Sequence, residues 1–253
     1  LFNTQATHTD TEEETPHLAA LQGHLLRYGV VVFLVGALSC WYANALYDCL
    51  AQPLITALPA GSKLIATEIT TPFMVPIKFA IFFTLLVTLP YLCLEIWRFV
   101  KPGLYPLERQ RIWPFLILSL LLFYSGVAFA YTLICPIAID FFMKTTPSTV
   151  TLMIDIAHYA NFMLSICGYT GLVFETPILT FGLIQLNWVS IAQMIYFRKY
   201  VIVAAFVIGM LLTPPDVLSQ VLLALPMWAL YELGILAARW VRHKKIMAKQ
   251  PHP

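Results

Sequence analysis

Glu175 is the residue in this chain whose chemistry matters most. It is a lone carboxylate, with no Asp, Glu, Lys or Arg from 156 to 174 or from 176 to 197. An unpaired charge near a bilayer centre costs a few kcal/mol, so an acid held there marks a functional site by default. The competing reading is a carboxyl kept protonated by apolar surroundings and simply packed. Recognised enzyme chemistry is missing: the sequence has no H-E-x-x-H, no G-x-S-x-G elbow and no phosphate-cradling glycine loop. Histidines 8, 17, 24, 158, 243 and 252 form no i,i+3 or i,i+4 pair, so no catalytic set, metal or cofactor is expected. His158 and Ser165 could share a helical face, a weak hint of an intramembrane hydrolase that chance spacing supplies equally well. Cys40, Cys49, Cys93, Cys135 and Cys167 include no C-x-x-C and read as packing residues. A Cys49–Cys135 bridge near the outer face stays open.

The elements that must position Glu175 follow from composition. Of 253 residues, 60% are hydrophobic and 11% charged, with mean hydropathy +0.78. A soluble domain carries about 25% charged residues, so the chain is a polytopic membrane protein. A net charge of +2 gives no basis for nucleic-acid binding. The expected fold class is an all-α integral membrane protein, one bundle of six transmembrane helices, concave, with the last two helices short. The spans fall at about 26–48, 73–98, 112–135, 157–185, 200–213 and 217–236, the third ended by Pro136. A polar tail (1–25) precedes this single domain (26–240) and a basic tail (241–253) follows it. The first 25 residues lack a cationic n-region and a cleavage site, so the first apolar segment is expected to remain as an anchor.

Twelve of the 15 Lys and Arg fall on the side of the termini, and only Lys63, Lys78 and Lys144 on the other. This bias places both termini in the cytoplasm or its equivalent. Glu95 and Glu232 sit near cytoplasmic ends, where they can snorkel or pair with Arg98 or Arg239. Residues 48–72 are too apolar for a free linker and too broken for a span, and are expected to form a cap with a short interfacial helix.

The closing hairpin does not fit an ordinary bilayer. The uncharged runs 200–212 and 217–231 reach only about 20 and 22 Å as helices, whereas a hydrocarbon core of about 30 Å needs about 20 residues. The pair therefore stops short of the far surface or thins the membrane locally. Between them, Thr213-Pro214-Pro215-Asp216 ends one helix and caps the next.

Several motifs together carry a resemblance. They are Gln52-Pro53-Leu54, Leu64-Ile65-Ala66-Thr67 with Pro72-Phe73, and Phe99-Val100-Lys101-Pro102-Gly103-Leu104-Tyr105 with Glu108-Arg109. Gly126 to Tyr131, Phe174-Glu175-Thr176-Pro177, and Gly209 to Asp216 with Ser219-Gln220 complete the set. Across about residues 17–240 the chain resembles the TatC family, the polytopic core of the twin-arginine protein translocase.

The resemblance implies a receptor for twin-arginine signal peptides of folded cargo, not an enzyme. It would sit in the bacterial inner membrane or an organellar one, driven by the proton-motive force. It would join single-span TatA- and TatB-type partners, with further copies of itself in the complex. Glu108 in the first cytoplasmic loop can accept a guanidinium fork, or else pair with Arg109 or Arg111 as an ordinary loop acid. Phe99 and Leu104 offer apolar surface, and Arg109, His17 and Leu18 complete the implied signal-binding set. Glu175 would meet a polar residue of a partner's single helix. Met210, Thr213 and Gln220 form a second implied partner surface, with cap and turn chemistry as the alternative. Pro53, Tyr131, Pro214, Pro215 and Asp216 match structural positions.

One departure matters. The family usually opens His-Leu-x-Glu-Leu-Arg-x-Arg, and this chain reads His17-Leu18-Ala19-Ala20-Leu21-Gln22-Gly23-His24. With the acid and both arginines replaced, signal recognition is expected to be weakened, to rely mainly on Glu108, or to be narrowed to few cargoes. A TatC-derived scaffold that has lost general recognition is the alternative. A proton-coupled transporter using Glu175 is a third reading, but no chain of acids or histidines leads through the bilayer and no matching halves are visible.

Overall fold

The computed structural model describes residues 10–52, 55, 63–101, 106–145, 153–212 and 217–247; within these, the side chains of 10–20, 63, 100, 106–112, 211–212, 218–219 and 243–247 are left aside. Among the described residues the protein is all-helical apart from one small strand pair, and six helical stretches there are long and apolar enough to cross a membrane. They are Leu21–Trp41, Thr71–Phe99, Trp113–Thr145, Ile156–Gln185, Ile191–Met210 and Gln220–Arg242. The chain divides into two compact units, residues 1–48 with 76–116, and 49–75 with 117–253.

In the first unit, α1 runs Asp10–Trp41 and α2 begins at Ala43, ending at Leu50. Helix α1 thus starts inside the polar segment expected to be a tail; uncharged runs report what a membrane accepts, not where a helix begins. Helix α3 spans Thr71–Val100. Its buried Thr84 and Thr88 hydroxyls donate to the carbonyls of Ala80 (2.7 Å) and Thr84 (2.8 Å), so neither is left unsatisfied among apolar side chains.

Helix α4 (Pro106–Phe129) starts in the first unit and, within the second, passes through a π turn at Ala130–Ile134 into α5 (Cys135–Thr145). Pro136 does not end this span, contrary to the expectation. The wider turn, in which Cys135 N–H reaches back to the Ala130 carbonyl, absorbs the donor that proline lacks. Strands β1 (Lys63–Ile65) and β2 (Met153–Asp155) pair in parallel, Leu64 opposite Ile154. Within the 48–72 segment, residues 63–65 therefore form a strand, in addition to the cap with a short helix that was expected.

Helix α6 (Ile156–Phe174) starts directly after β2, and Asp155 caps it: Oδ1 accepts Ala157 N–H at 2.7 Å and Oδ2 accepts the Thr67 hydroxyl. The Thr67 hydroxyl first, then the Ala157 amide, hold the Asp155 carboxyl below its ordinary range. A depressed folded-state value stabilises above the unfolded value of about 3.9 and is lost as pH falls through the lower one. Asp155→Asn is expected to lower the melting temperature at pH 7 by about 2–4 °C and to remove this acid-side slope, measured by thermal unfolding in detergent between pH 7 and 3.

The fourth span is not one helix: α6 stops at Phe174 and α7 runs Thr176–Gln185, with Glu175 at the break and Pro177 in the first turn of α7. The link to α8 (Ile191–Leu212) turns on Asn187 at φ 59°, a conformation Asn tolerates. A reciprocal capping box starts α8: Gln193 N–H donates to Ser190 Oγ at 3.2 Å and Ser190 N–H to Gln193 Oε1 at 2.8 Å. Helix α8 therefore begins nine residues before the uncharged run. With α9 (Val217–Met247), the closing helices have 22 and 31 residues, about 33 and 46 Å. They are not short as helices; only their uncharged portions are.

Tyr231, Ile235 and Ala238 of α9 pack with Ile184 and Met194 in a buried cluster, and the Tyr231 hydroxyl donates to the Met194 carbonyl at 2.8 Å. Glu232 pairs with Arg198 of α8, not with Arg239. Arg239 lies two turns along the same helix, beyond the i,i+4 reach, whereas α8 packs alongside.

Candidate functional site

Among the carboxylates within the spans, Glu175 and Glu95, one in each unit, are the candidates for binding. In the second unit, Glu175 lies at the α6–α7 break, where its own N–H still bonds Leu172 at 3.1 Å and its carbonyl accepts the amides of Ile178 and Leu179. The backbone is thus satisfied through the break, as a lipid-embedded kink requires. The half-buried side chain accepts the Ser119 hydroxyl of α4 on Oε2 at 2.9 Å. Ser119 was not identified in the sequence; it lies 56 positions away and carries no local signal. Glycines bring these helices close: a Cβ at Gly126 would stand 2.7 Å from the Thr170 carbonyl, and one at Gly171 2.8 Å from the Phe123 ring.

In the first unit, Glu95 of α3 is 3% exposed. His24 Nδ1 of α1 lies 2.5 Å from Oε2, Arg98 Nη1 donates to Oε1 at 2.7 Å, and the Tyr91 hydroxyl also bonds the carboxylate. The expected Glu95–Arg98 pairing is present; His24, 71 positions away, was missed. The Phe99 ring meets the His24 ring edge-on, centroids 6.3 Å apart, and Trp97 packs against Trp113 at 6.2 Å.

Among the remaining expected residues, Gln220 Nε2 donates to the Phe206 carbonyl at 2.8 Å and packs on Gly209. Met210 beside it is 63% exposed, on a surface open to a neighbour. The Tyr131 hydroxyl donates to the Cys49 carbonyl at 3.1 Å, tying the π turn to the end of α2. Cys49 and Cys135 form no bridge; both thiols are free. Leu104, Pro53, Thr213, Pro214, Pro215 and Asp216 lie outside the described residues. So do the side chains of His17, Leu18, Glu108 and Arg109, whose backbones are helical in α1 and α4.

Residues 16–226 match the family model described as TatC, Sec-independent protein translocase protein. The Sec-independent protein translocase protein TatC of Azotobacter chroococcum mcd 1 is 40% identical over 247 residues, covering 96% of this chain and 97% of that one. The protein of the same name from Escherichia coli strain K12 is 40% identical over 234 residues, covering 91% and 90%. A crystal structure of the twin arginine translocase receptor TatC in DDM superposes with TM-score 0.76 at 31% identity, covering 88% of this chain and 99% of that chain. With bacterial relatives matched over nearly their whole length and six candidate spans in a shared fold, this chain is a multi-pass membrane protein that belongs to the TatC family, a Sec-independent translocase subunit and not an enzyme.

Proposed function

We propose that this chain is the signal-peptide receptor of its translocase, oriented with both termini in the cytoplasm of a bacterial inner membrane. It binds twin-arginine signals at the end of the first unit that carries Phe99 and the α3–α4 connection. It recruits TatA- and TatB-type single-span helices at Glu175 and along the Met210–Gln220 surface, and joins further copies of itself in a complex driven by the proton-motive force. The observation that carries this reading is the family match over residues 16–226, which includes every proposed contact residue. The geometry supports it: Phe99 packs edge-on against His24, which bonds Glu95, and among the described residues Glu175 is bonded by the Ser119 side chain alone.

A second reading, a scaffold with lost or narrowed signal recognition, is favoured by one observation. Ala20 and Gln22 replace the acid and the first arginine of the family opening, and His24 is engaged with Glu95. Export of a folded reporter separates the two. A receptor exports an Arg-Arg signal and fails with Lys-Lys, while equal export removes twin-arginine recognition. Glu108→Gln is expected to lower signal-peptide crosslinking about tenfold, the scale of one lost charge-assisted hydrogen bond, with the complex still assembled. Unchanged crosslinking moves the site elsewhere.

A further inference from the structure

We propose that the Glu95 carboxylate is a guanidinium-binding site in which Arg98 is the resident occupant, and that an arginine of the signal peptide exchanges with it. This rests on the receptor reading and adds to it a second acceptor, on α3 instead of α1. The two halves of the ion pair differ in exposure. Glu95 is 3% exposed and fixed through His24 at 2.5 Å and the Tyr91 hydroxyl, whereas the Arg98 side chain is 53% exposed. The acceptor is thus preorganised and its partner is open to solvent. Arg98 reaches Oε1 through Nη1 from one turn along the same helix, a local contact that can open without moving either helix.

Opening Arg98 into water alone would strand a buried carboxylate, which is costly. Replacing it by another guanidinium leaves the charge compensated throughout. An ammonium replaces it poorly, because a compact, strongly hydrated point charge lacks the planar fork. Phe99 follows Arg98 directly, and its ring, set against His24, offers an aromatic surface on which an incoming guanidinium stacks.

The test uses the full chain in lipid nanodiscs and two fluorescent signal peptides that differ only in Arg-Arg or Lys-Lys. Arg98→Ala removes the competitor while His24 and Tyr91 still hold Glu95. Binding of the Arg-Arg peptide is expected to tighten roughly fivefold, the population ratio that a half-exposed ion pair sustains, and the Lys-Lys peptide by less than about twofold. The double variant Glu95→Gln/Arg98→Ala is expected to lose the gain. Equal tightening for both peptides, no tightening, or a gain that persists in the double variant overturns the proposal. If Glu95→Gln prevents folding, the peptide ratio in Arg98→Ala decides alone. Should the unaltered protein fail to distinguish the two peptides, the receptor reading falls and this inference falls with it. A protein that prefers Arg-Arg but ignores Arg98→Ala sinks only the inference.

Discussion

Gly234→Ala is expected to lower the melting temperature of the detergent-solubilised protein by about 6–12 °C, a loss of about 3 kcal/mol. Gly234 is buried on α9, where α7 crosses at backbone contact. A Cβ there would stand 1.8 Å from Thr180 Oγ1 and 3.0 Å from both the Cα and the carbonyl oxygen of Pro177. The Thr180 hydroxyl cannot swing aside freely, because it donates back to the carbonyls of Thr176 (2.8 Å) and Pro177 (3.0 Å) and its β-branched side chain is stiff. Pro177 cannot yield without shifting the first turn of α7, and with it Glu175. The double variant Thr180→Ala/Gly234→Ala is expected to recover at least half of the lost melting temperature, since it removes the closest clash and leaves the 3.0 Å contacts. Strict additivity of the two changes would show that the helices do not meet here.

The sequence makes legible whatever depends on a long average or on a residue with few permitted environments. Six spans emerge from charge-free runs, and Glu175 stands out because hydrocarbon tolerates so few acids. Helix boundaries are less legible, because charge marks the membrane surface and not the end of hydrogen bonding. Helix α1 therefore extends back to Asp10 and α8 to Ile191. Ser190-x-x-Gln193 has the capping-box spacing that starts α8, a local signal that charge-free runs do not register. Pro136 was misread as a stop because the π turn that accommodates it has no distinctive composition.

Partners across helices were mostly hidden. Ser119 for Glu175, His24 for Glu95, Arg198 for Glu232 and Thr67 for Asp155 lie 56, 71, 34 and 88 positions away. Glu95–Arg98, an i,i+3 pair within one helix, could be inferred from spacing. The strand pair is equally silent, since three residues per strand give too short an alternation to register.

Glu175→Leu is expected to reduce co-purification of single-span partners roughly three- to twentyfold, the span of measured interhelical hydrogen bonds in membranes, while Arg-Arg peptide affinity stays within about twofold. Its carboxyl accepts one hydrogen bond from Ser119, and among the described residues no other side chain is seen to bond it. A carboxyl has further donor and acceptor capacity, and lipid offers nothing to meet it. A neighbouring helix with an amide or hydroxyl at that depth satisfies it, and the stabilisation is confined to that one depth and face, which makes the contact selective. Leucine keeps the packing volume and loses the polar handle, so the helix break is expected to survive through Pro177 and the Thr176 hydroxyl bonded to the Val173 carbonyl at 2.5 Å. Glu175→Gln, which retains a donor and an acceptor, should fall between. Normal partner stoichiometry with Glu175→Leu would place recruitment elsewhere, and the exposed Met210 with Gln220 would then carry it.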